Sequence, residues 1–340
     1  MGRKSQKKLK VFHGLVNYGT QAGLFSKELR AQGVEAISVS YPDPFKRLID
    51  FELLHGGSLL QKIKKHTINY FLKIKWFFKY NVFHFYFGQT LLPYNLDLYF
   101  YKLFGKKLVM EYLGYDVDLC LGLNGLDYSN NKCDRIKKLK RIKFQAKWMD
   151  KQLVCAPYYY QFVDNSIILP LAIDIDKYKY NPLVVNFDPL TIIHCPTDRT
   201  YKKSDFIENA INKLKSEGYK INYKCITNVT HEKLKEEMIS ADLVIDQLNP
   251  WYGTVSIEAM ALGRPVICGY HEHLKFYDYE KFKDLPIINA NIYNIYDVLK
   301  DVLNNKYDLE ELSRQGRLFV ERTHDLKKVA NDLLKLYKKL

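Results

Sequence analysis

The stretch Ala241–Gly269, ADLVIDQLNPWYGTVSIEAMALGRPVICG, predicts a strand, a tight turn, a short helix and a second strand. Leu243–Ile245 is an apolar run typical of a strand, Gly253 permits the turn, and Thr254 is suited to cap the helix. Such a turn directs free backbone N–H groups and the positive end of the helix dipole above the sheet, so it suits a phosphate. Glu258, one turn into the helix, is placed to accept hydrogen bonds from a ribose.

A basic loop earlier in the chain offers this turn a partner. The predicted strand LTIIHC is followed by Arg199, Lys202 and Lys203. Two cations that face the Gly253 turn would hold a diphosphate between them. Taken alone, the loop also fits a solvated charged surface, and Ala241–Gly269 also fits an ordinary βαβ unit. The two segments together favour a phosphate site.

Length and composition predict a folded cytoplasmic protein of two domains. The chain has 340 residues, of which 47% are hydrophobic and 26% are charged. Its six cysteines are scattered singly, without the close pairs that bind zinc. No apolar run approaches the roughly 20 residues of a membrane span, and the basic start lacks the apolar core of a signal peptide.

The positive charge is concentrated in one half of the chain. Residues 1–175 hold 27 Lys and Arg against 14 Asp and Glu, whereas residues 176–340 hold 25 against 24. A basic half fits either a nucleic-acid-binding protein or one that lies against an anionic membrane. No recognised nucleic-acid-binding module accompanies the charge, so we expect no nucleic-acid partner.

Alternating strand and helix patterns predict two α/β domains with parallel, doubly wound sheets. The pattern runs through residues 1–170 and starts again in residues 171–323. We expect the final helix, residues 324–340, to pack back on the N-terminal domain. In such folds ligands bind outside the carboxyl ends of the strands, which places the predicted site in a cleft between the domains.

Three segments of the second half resemble the C-terminal domain of family 4 glycosyltransferases, which are retaining enzymes of the GT-B fold. They are HCPTDRTYKKSDFIENAI (194–211), ADLVIDQLNPWYGTVSIEAMALGRPVI (241–267) and GRLFVERTHDLKKVANDLLKLY (316–337). In the first half, HFYFGQTLLP and KKLVMEYLGYDVD are similar to members that build bacterial surface polysaccharides. The resemblance implies two doubly wound Rossmann-like domains that face a central cleft.

The resemblance also implies roles for individual residues. Those implied to bind the donor are Arg199, Lys202, Gly253, Thr254, Val255, Ser256 and Glu258. The first glutamate of the family's paired-glutamate motif is replaced by Pro250, which cannot make the polar contact to the transferred sugar. Asp246, Gln247 and Trp251 are the candidates for that contact.

Catalysis would rest on stabilising the departing diphosphate. Arg199, Lys202 and the helix N-terminus would act where negative charge develops, so we expect neither a metal nor a cofactor. Asp116, which follows KKLVMEY, would orient the acceptor or act as a base, although it equally fits a helix cap. Gly14, Asn17 and Gly19 are predicted to lie in the first strand-to-helix loop, on the side of the donor and acceptor.

The run Leu59–Tyr80, LLQKIKKHTINYFLKIKWFFKY, mixes six lysines with aromatic and aliphatic residues. This composition is typical of a helix in an anionic membrane interface, although a core-facing helix with a solvated basic face has it too. A lipid-linked acceptor would explain both this helix and a second basic one at Arg135–Lys147.

The sequence therefore predicts a glycosyltransferase at the cytoplasmic membrane face. It would move a sugar from a nucleotide diphosphate sugar, most simply a UDP-sugar, to a lipid-linked or glycan acceptor with retention, in surface polysaccharide or glycoconjugate synthesis. The alternatives are a UDP-sugar 2-epimerase of the same fold and a basic nucleic-acid-binding protein.

Overall fold

The computed structural model describes residues 8–43, 46–118, 132–249, 251–271, 280–282 and 284–340, with the backbone alone for 132–134 and 280. The chain divides into two compact units. The N-terminal unit comprises Met1–Ala172 and Leu326–Leu340, and the C-terminal unit comprises Ile173–Asp325.

The N-terminal unit is built on a parallel sheet of seven strands in the described residues. The strands are β1 (Lys10–Leu15), β2 (Glu35–Ser40), β3 (Phe51–Glu52), β4 (Val82–Tyr86), β5 (Lys107–Tyr112), β6 (Lys151–Val154) and β7 (Ile167–Ile168). Their order is β3-β2-β1-β4-β5-β6-β7. The direction of winding reverses between β1 and β4, which creates a switch point where ligands commonly bind.

Four helices connect these strands in the described part of the chain. They are α1 (Gln21–Ala31), α2 (Leu59–Lys79), α3 (Leu98–Leu103) and α4 (Lys132–Ala146). The strands are buried on both faces, as expected of a parallel sheet covered by helices. Helix α2 differs from the others because only Asn69 and Trp76 are buried along its length.

The C-terminal unit has a five-stranded parallel sheet in the order β9-β8-β10-β11-β12. The strands are β8 (Leu190–His194), β9 (Ile221–Cys225), β10 (Leu243–Ile245), β11 (Val266–Cys268) and β12 (Ile287–Asn289). The helices are α5 (Arg199–Lys202), α6 (Ser204–Ser216), α7 (His231–Ile239), α8 (Thr254–Ala261), α9 (Ile295–Leu303) and α10 (Leu309–Thr323). This order has its switch point between β8 and β10.

Helix α8 begins differently from the sequence prediction. Thr254 is the first helical residue instead of the cap, and Gly253 occupies the cap position without a side chain. The physical reason lies at the end of β10, where the Asp246 carboxylate accepts a hydrogen bond from the Gly253 N–H at 2.9 Å. The Asp246 side chain, seven residues before Gly253, thus takes the place of a capping side chain at Gly253.

The first strand-to-helix connection also departs from expectation. Gly14 lies inside β1, where an added Cβ would come within 2.6 Å of the Val39 carbonyl oxygen on β2. Asn17 is buried and donates from Nδ2 to the Leu48 carbonyl at 2.9 Å. Gly19 lies in a short 3-10 turn with a positive φ of 52°. These contacts explain Gly14 and Asn17 as parts of the scaffold.

The last helix, α11 (Leu326–Lys338), packs against α1 in the N-terminal unit. Val329 and Leu333 of α11 are fully buried in one apolar cluster with Phe25 and Leu29 of α1. Tyr337 reaches further, and its hydroxyl lies 2.6 Å from Nδ1 of the buried His84 on β4. The core of the N-terminal unit therefore includes the end of the chain.

We expect Leu333→Ala to lower the free energy of unfolding by about 2–5 kcal/mol, because it removes a fully buried side chain and leaves a cavity. Leu318→Ala on α10 is the matched control, since Leu318 is 51% exposed and its loss should change stability by less than about 0.5 kcal/mol. Urea unfolding of both variants measures the difference. Equal effects would contradict the docking of α11.

Candidate functional site

The switch point of the C-terminal sheet is organised by His194, the last residue of β8. Its Nδ1 lies 2.9 Å from the Ile245 carbonyl of β10, and its Nε2 lies 2.8 Å from Oγ of Ser204 on α6. Burial lowers the pKa of His194 to about 4, so the ring is neutral. A neutral ring can donate from Nδ1 and accept at Nε2. His194 thereby joins two strands and a helix beneath the site.

Lys202 and Asp246 form a buried ion pair above this histidine. Lys202 Nζ lies 2.7 Å from Asp246 Oδ1 and 3.2 Å from the Cys195 carbonyl. The two side chains are 8% and 0% exposed. Burial alone would raise the pKa of Asp246, but Lys202, the Ser256 hydroxyl and the Gly253 N–H together hold it below its ordinary value. Asp246 is therefore ionised at neutral pH.

The same carboxylate lies at the N-terminus of α8. Asp246 Oδ2 accepts from the Ser256 hydroxyl at 2.6 Å, in addition to the Gly253 N–H. Thr254 and Val255 are partly exposed, and their N–H groups have no hydrogen-bond partner among the described residues. The first N–H groups of a helix have no partner within it, and together with the helix dipole they attract anions. This turn can therefore accept an anionic ligand beside the ion pair.

Glu258, one turn into α8, already has two partners in the structure. Tyr178 Oη donates to its Oε1 at 2.9 Å, and His231 Nε2 at the start of α7 lies 3.0 Å from the same oxygen. The hydrogen bond to Glu258 raises the pKa of His231 above its usual value. Neither partner could be predicted from local sequence patterns, because the two lie 80 and 27 residues away along the chain.

The position of Arg199 differs from the prediction that this residue faces the Gly253 turn. Its guanidinium pairs with Glu208 of α6 at 3.0 and 2.6 Å and with Asp205 at 3.2 Å. No described contact of Arg199 reaches α8. The cause is local, since two carboxylates on the first turns of α6 compete for a side chain on the short preceding helix α5. The structure brings Lys202 to the turn, and it holds Arg199 on α6.

The candidates for contact with a transferred sugar are also largely enclosed. Asp246 is fully buried, Gln247 is 8% exposed and Trp251 is 5% exposed. Gln247 Nε2 donates to the Trp251 carbonyl, and the Trp251 ring stacks on Tyr252 with centroids 4.6 Å apart. These contacts make them supports of the turn. Pro250 lies outside the described residues.

Comparison with known proteins gives a likeness in structure only. No protein-family model matches the chain, and no curated protein matches its sequence. The sucrose-phosphate synthase of Thermosynechococcus elongatus is 14% identical with a TM-score of 0.67, over 98% of this chain and 99% of that one. Anabaena HepE in complex with UDP-glucose is 10% identical with a TM-score of 0.64, over 97% and 99%.

A putative UDP-N-acetylglucosamine 2-epimerase from Listeria monocytogenes is 13% identical with a TM-score of 0.54, over 96% of this chain and 95% of that one. The sheets and their covering helices match the two Rossmann-like domains of the sucrose-phosphate synthase and of HepE along nearly the whole chain. The fold is GT-B. The predicted fold class of two doubly wound Rossmann-like domains is thereby confirmed.

In the N-terminal Rossmann-like domain of this GT-B fold, Asp116 follows β5 and is 3% exposed. Its Oδ1 accepts from the N–H groups of Leu113 at 3.1 Å and Gly114 at 2.9 Å, whereas Oδ2 has no partner in the described part of the chain. Burial raises the pKa of Asp116 to about 6, although Arg141 and the two N–H groups oppose the rise. Asp116 also lines a cavity of about 400 Å³.

Helix α2 covers the run predicted to contact a membrane. Its exposed apolar residues include Leu59, Leu60, Ile63, Phe71 and Phe78. The Phe78 ring meets Phe104, just after α3, with centroids 5.8 Å apart, so the exposed apolar surface continues onto α3. None of the helices among the described residues has the length and apolar character needed to cross a membrane.

In those residues no group of three or more His, Cys, Asp or Glu is arranged to hold a metal ion.

We expect Lys202→Met to lower the free energy of unfolding by about 3–5 kcal/mol, because it leaves the buried Asp246 charge unpaired. The double variant Lys202→Met/Asp246→Asn should recover part of this loss. Lys224→Met is the control, since its pair with Glu237 is partly exposed and should contribute less than about 1 kcal/mol. Urea unfolding of these variants and of Asp246→Asn alone measures the coupling between Lys202 and Asp246, and strictly additive effects would contradict it.

Proposed function

We propose that this protein is a glycosyltransferase whose donor is a nucleotide diphosphate sugar, in the first instance a UDP-sugar. One observation carries the proposal: at the β8–β10 switch point, Asp246 joins Lys202 to the N-terminus of α8, where the N–H groups of Thr254 and Val255 are open and Glu258 lies one turn further along. Such a turn suits a diphosphate, and the carboxylate suits a ribose. The HepE structure with UDP-glucose supports the choice of nucleotide.

The chemistry follows from a leaving group that departs with negative charge. In the proposed complex the diphosphate lies on the N-terminus of α8, where the N–H groups and Lys202 stabilise the charge as the glycosidic bond breaks. Lys202 would then share its ammonium group between Asp246 and a phosphate oxygen. The proposal needs no metal and no cofactor.

Arg199 enters this proposal with a smaller part. Glu208 and Asp205 hold and neutralise its guanidinium, so Arg199 would reach the diphosphate only if it left these carboxylates. Retention, as in family 4, would follow from attack on the face that the diphosphate leaves, with a phosphate oxygen taking the acceptor's proton. Asp116 would bind the acceptor hydroxyl, since its Oδ2 has no described partner.

An epimerase is the second candidate, because the Listeria protein of that putative activity shares the fold. The two activities differ in what they need. An epimerase changes the sugar of a UDP-sugar without an acceptor, whereas a transferase leaves the donor intact until an acceptor is present. Incubation with UDP-N-acetylglucosamine alone, followed by proton NMR of the sugar, separates them.

We also infer that the acceptor is presented at an anionic membrane, in the synthesis of a surface polysaccharide at the cytoplasmic face. The support is α2, which has six lysines, no acidic residue and a row of exposed apolar side chains. Apolar residues enter the interface and lysines bind anionic head groups, so the two features act together.

We expect Glu258→Gln to weaken UDP binding by about tenfold or more, because the carboxylate would lose its charge-assisted bonds to the ribose. Glu236→Gln is the control, since Glu236 is an exposed carboxylate of α7. Calorimetric titration with UDP measures both. Unchanged UDP affinity in Glu258→Gln would remove the ribose assignment.

We expect Leu60→Ser/Phe71→Ser to reduce sedimentation with phosphatidylglycerol vesicles several-fold, because both side chains are exposed on α2. Val184→Ser/Leu318→Ser removes two exposed apolar residues from the C-terminal unit and serves as the control. Equal sedimentation of the two double variants would refute the role of α2. Tighter binding to a short RNA than to vesicles would favour the nucleic-acid alternative.

A further inference from the structure

Two adjoining cavities open at the carboxyl edge of β4 and β5 in the N-terminal unit. Their volumes are about 630 and 400 Å³, and they share Gln89 and Arg141 in their linings. The larger one is bounded mainly by residues 88–95, which follow β4, and the smaller one by residues of α4 together with Tyr115 and Asp116, which follow β5. Each of the two volumes is in the range of small-molecule sites. The shared lining makes the two cavities one groove.

One face of α4 lines this groove with positive charge. Lys137, Lys140, Arg141 and Phe144 line the cavities, and their spacing of three, four and seven residues puts them on one side of the helix. Lys137 and Lys140 are exposed, and no described carboxylate pairs with either. By contrast, Lys138 is engaged, since it donates to the Asp118 carbonyl at 3.1 Å and lies over the Tyr115 ring.

Negative charge in the groove is limited to one fixed carboxylate. Asp116 is the single acidic residue among the described lining residues of either cavity. Two backbone N–H groups hold its Oδ1, and its buried Oδ2 is left without a described partner. Arg141 donates from Nη2 to the Asp116 carbonyl, while its buried Nε has no described partner. Two residues that line the smaller cavity thus each have an unused hydrogen-bonding atom, an acceptor on Asp116 and a donor on Arg141.

We infer that this groove binds an acceptor substrate that carries a phosphate ester, with the phosphate on Lys137, Lys140 and Arg141 and a hydroxyl group on Asp116. That the ligand is an acceptor substrate rests on the proposed transferase activity, but the anion site can be tested separately. Unpaired cations beside a cavity favour a phosphate over a neutral glycan, because charge-assisted hydrogen bonds are the strong ones. The phosphate can belong to a free sugar phosphate or to a lipid.

The test compares two double variants of the full chain. Lys137→Gln/Lys140→Gln removes two charges that line the groove, and Lys143→Gln/Lys147→Gln removes two exposed charges that line neither cavity. Each protein is saturated with UDP and titrated with inorganic pyrophosphate by calorimetry. Sedimentation with phosphatidic acid vesicles is measured in parallel, and urea unfolding confirms that the variants are folded.

We expect Lys137→Gln/Lys140→Gln to weaken pyrophosphate or vesicle binding by about tenfold, and Lys143→Gln/Lys147→Gln to change it by less than about twofold. If pyrophosphate binding depends on Lys137 and Lys140, the ligand is a free phosphate ester. If vesicle binding alone depends on these two lysines, the ligand is a lipid phosphate. Equal losses in both variants, or no loss in either, would overturn the inference. Failure of UDP to bind the wild type would contradict the donor proposal and would leave the groove comparison valid.

Discussion

The buried pair of Lys202 and Asp246 is the interaction on which the C-terminal site depends. It joins the end of β10 to α5, and through Gly253 and Ser256 it sets where α8 begins. A buried carboxylate in this position does what a bound anion would do, because it satisfies an N–H group and a hydroxyl at the helix N-terminus. The site is thus preformed without a ligand, and the N–H groups of Thr254 and Val255 stay open for one.

The strand order of each sheet explains why polar groups collect at the switch points. In each unit the winding direction reverses once among the described strands, between β8 and β10 or between β1 and β4. Helices leave the reversal in opposite directions, so backbone and side-chain groups there are not covered by a crossing connection. Lys202 and Asp246 gather at one reversal, and the groove with Asp116 and Arg141 lies next to the other.

The sequence predicted the regular elements well and the side-chain partners poorly. Short apolar runs identified β8 and β10, because strands that are buried on both faces consist almost entirely of apolar residues. The pairing of Arg199 with Glu208 was out of reach, because residue spacing does not say which of several nearby acids captures a long side chain. β7 could not be marked as an edge strand, because two residues give too little pattern.

The placement of α11 means that the C-terminal unit is an insertion in the sequence of the N-terminal one. Residues of α1 and α11 share a core although about three hundred positions separate them. During synthesis, residues 173–325 are made before the helix that completes the first core. The C-terminal unit is contiguous in sequence and can fold as soon as it emerges. The N-terminal unit is the first to be synthesised, but its core is completed only when α11 is present.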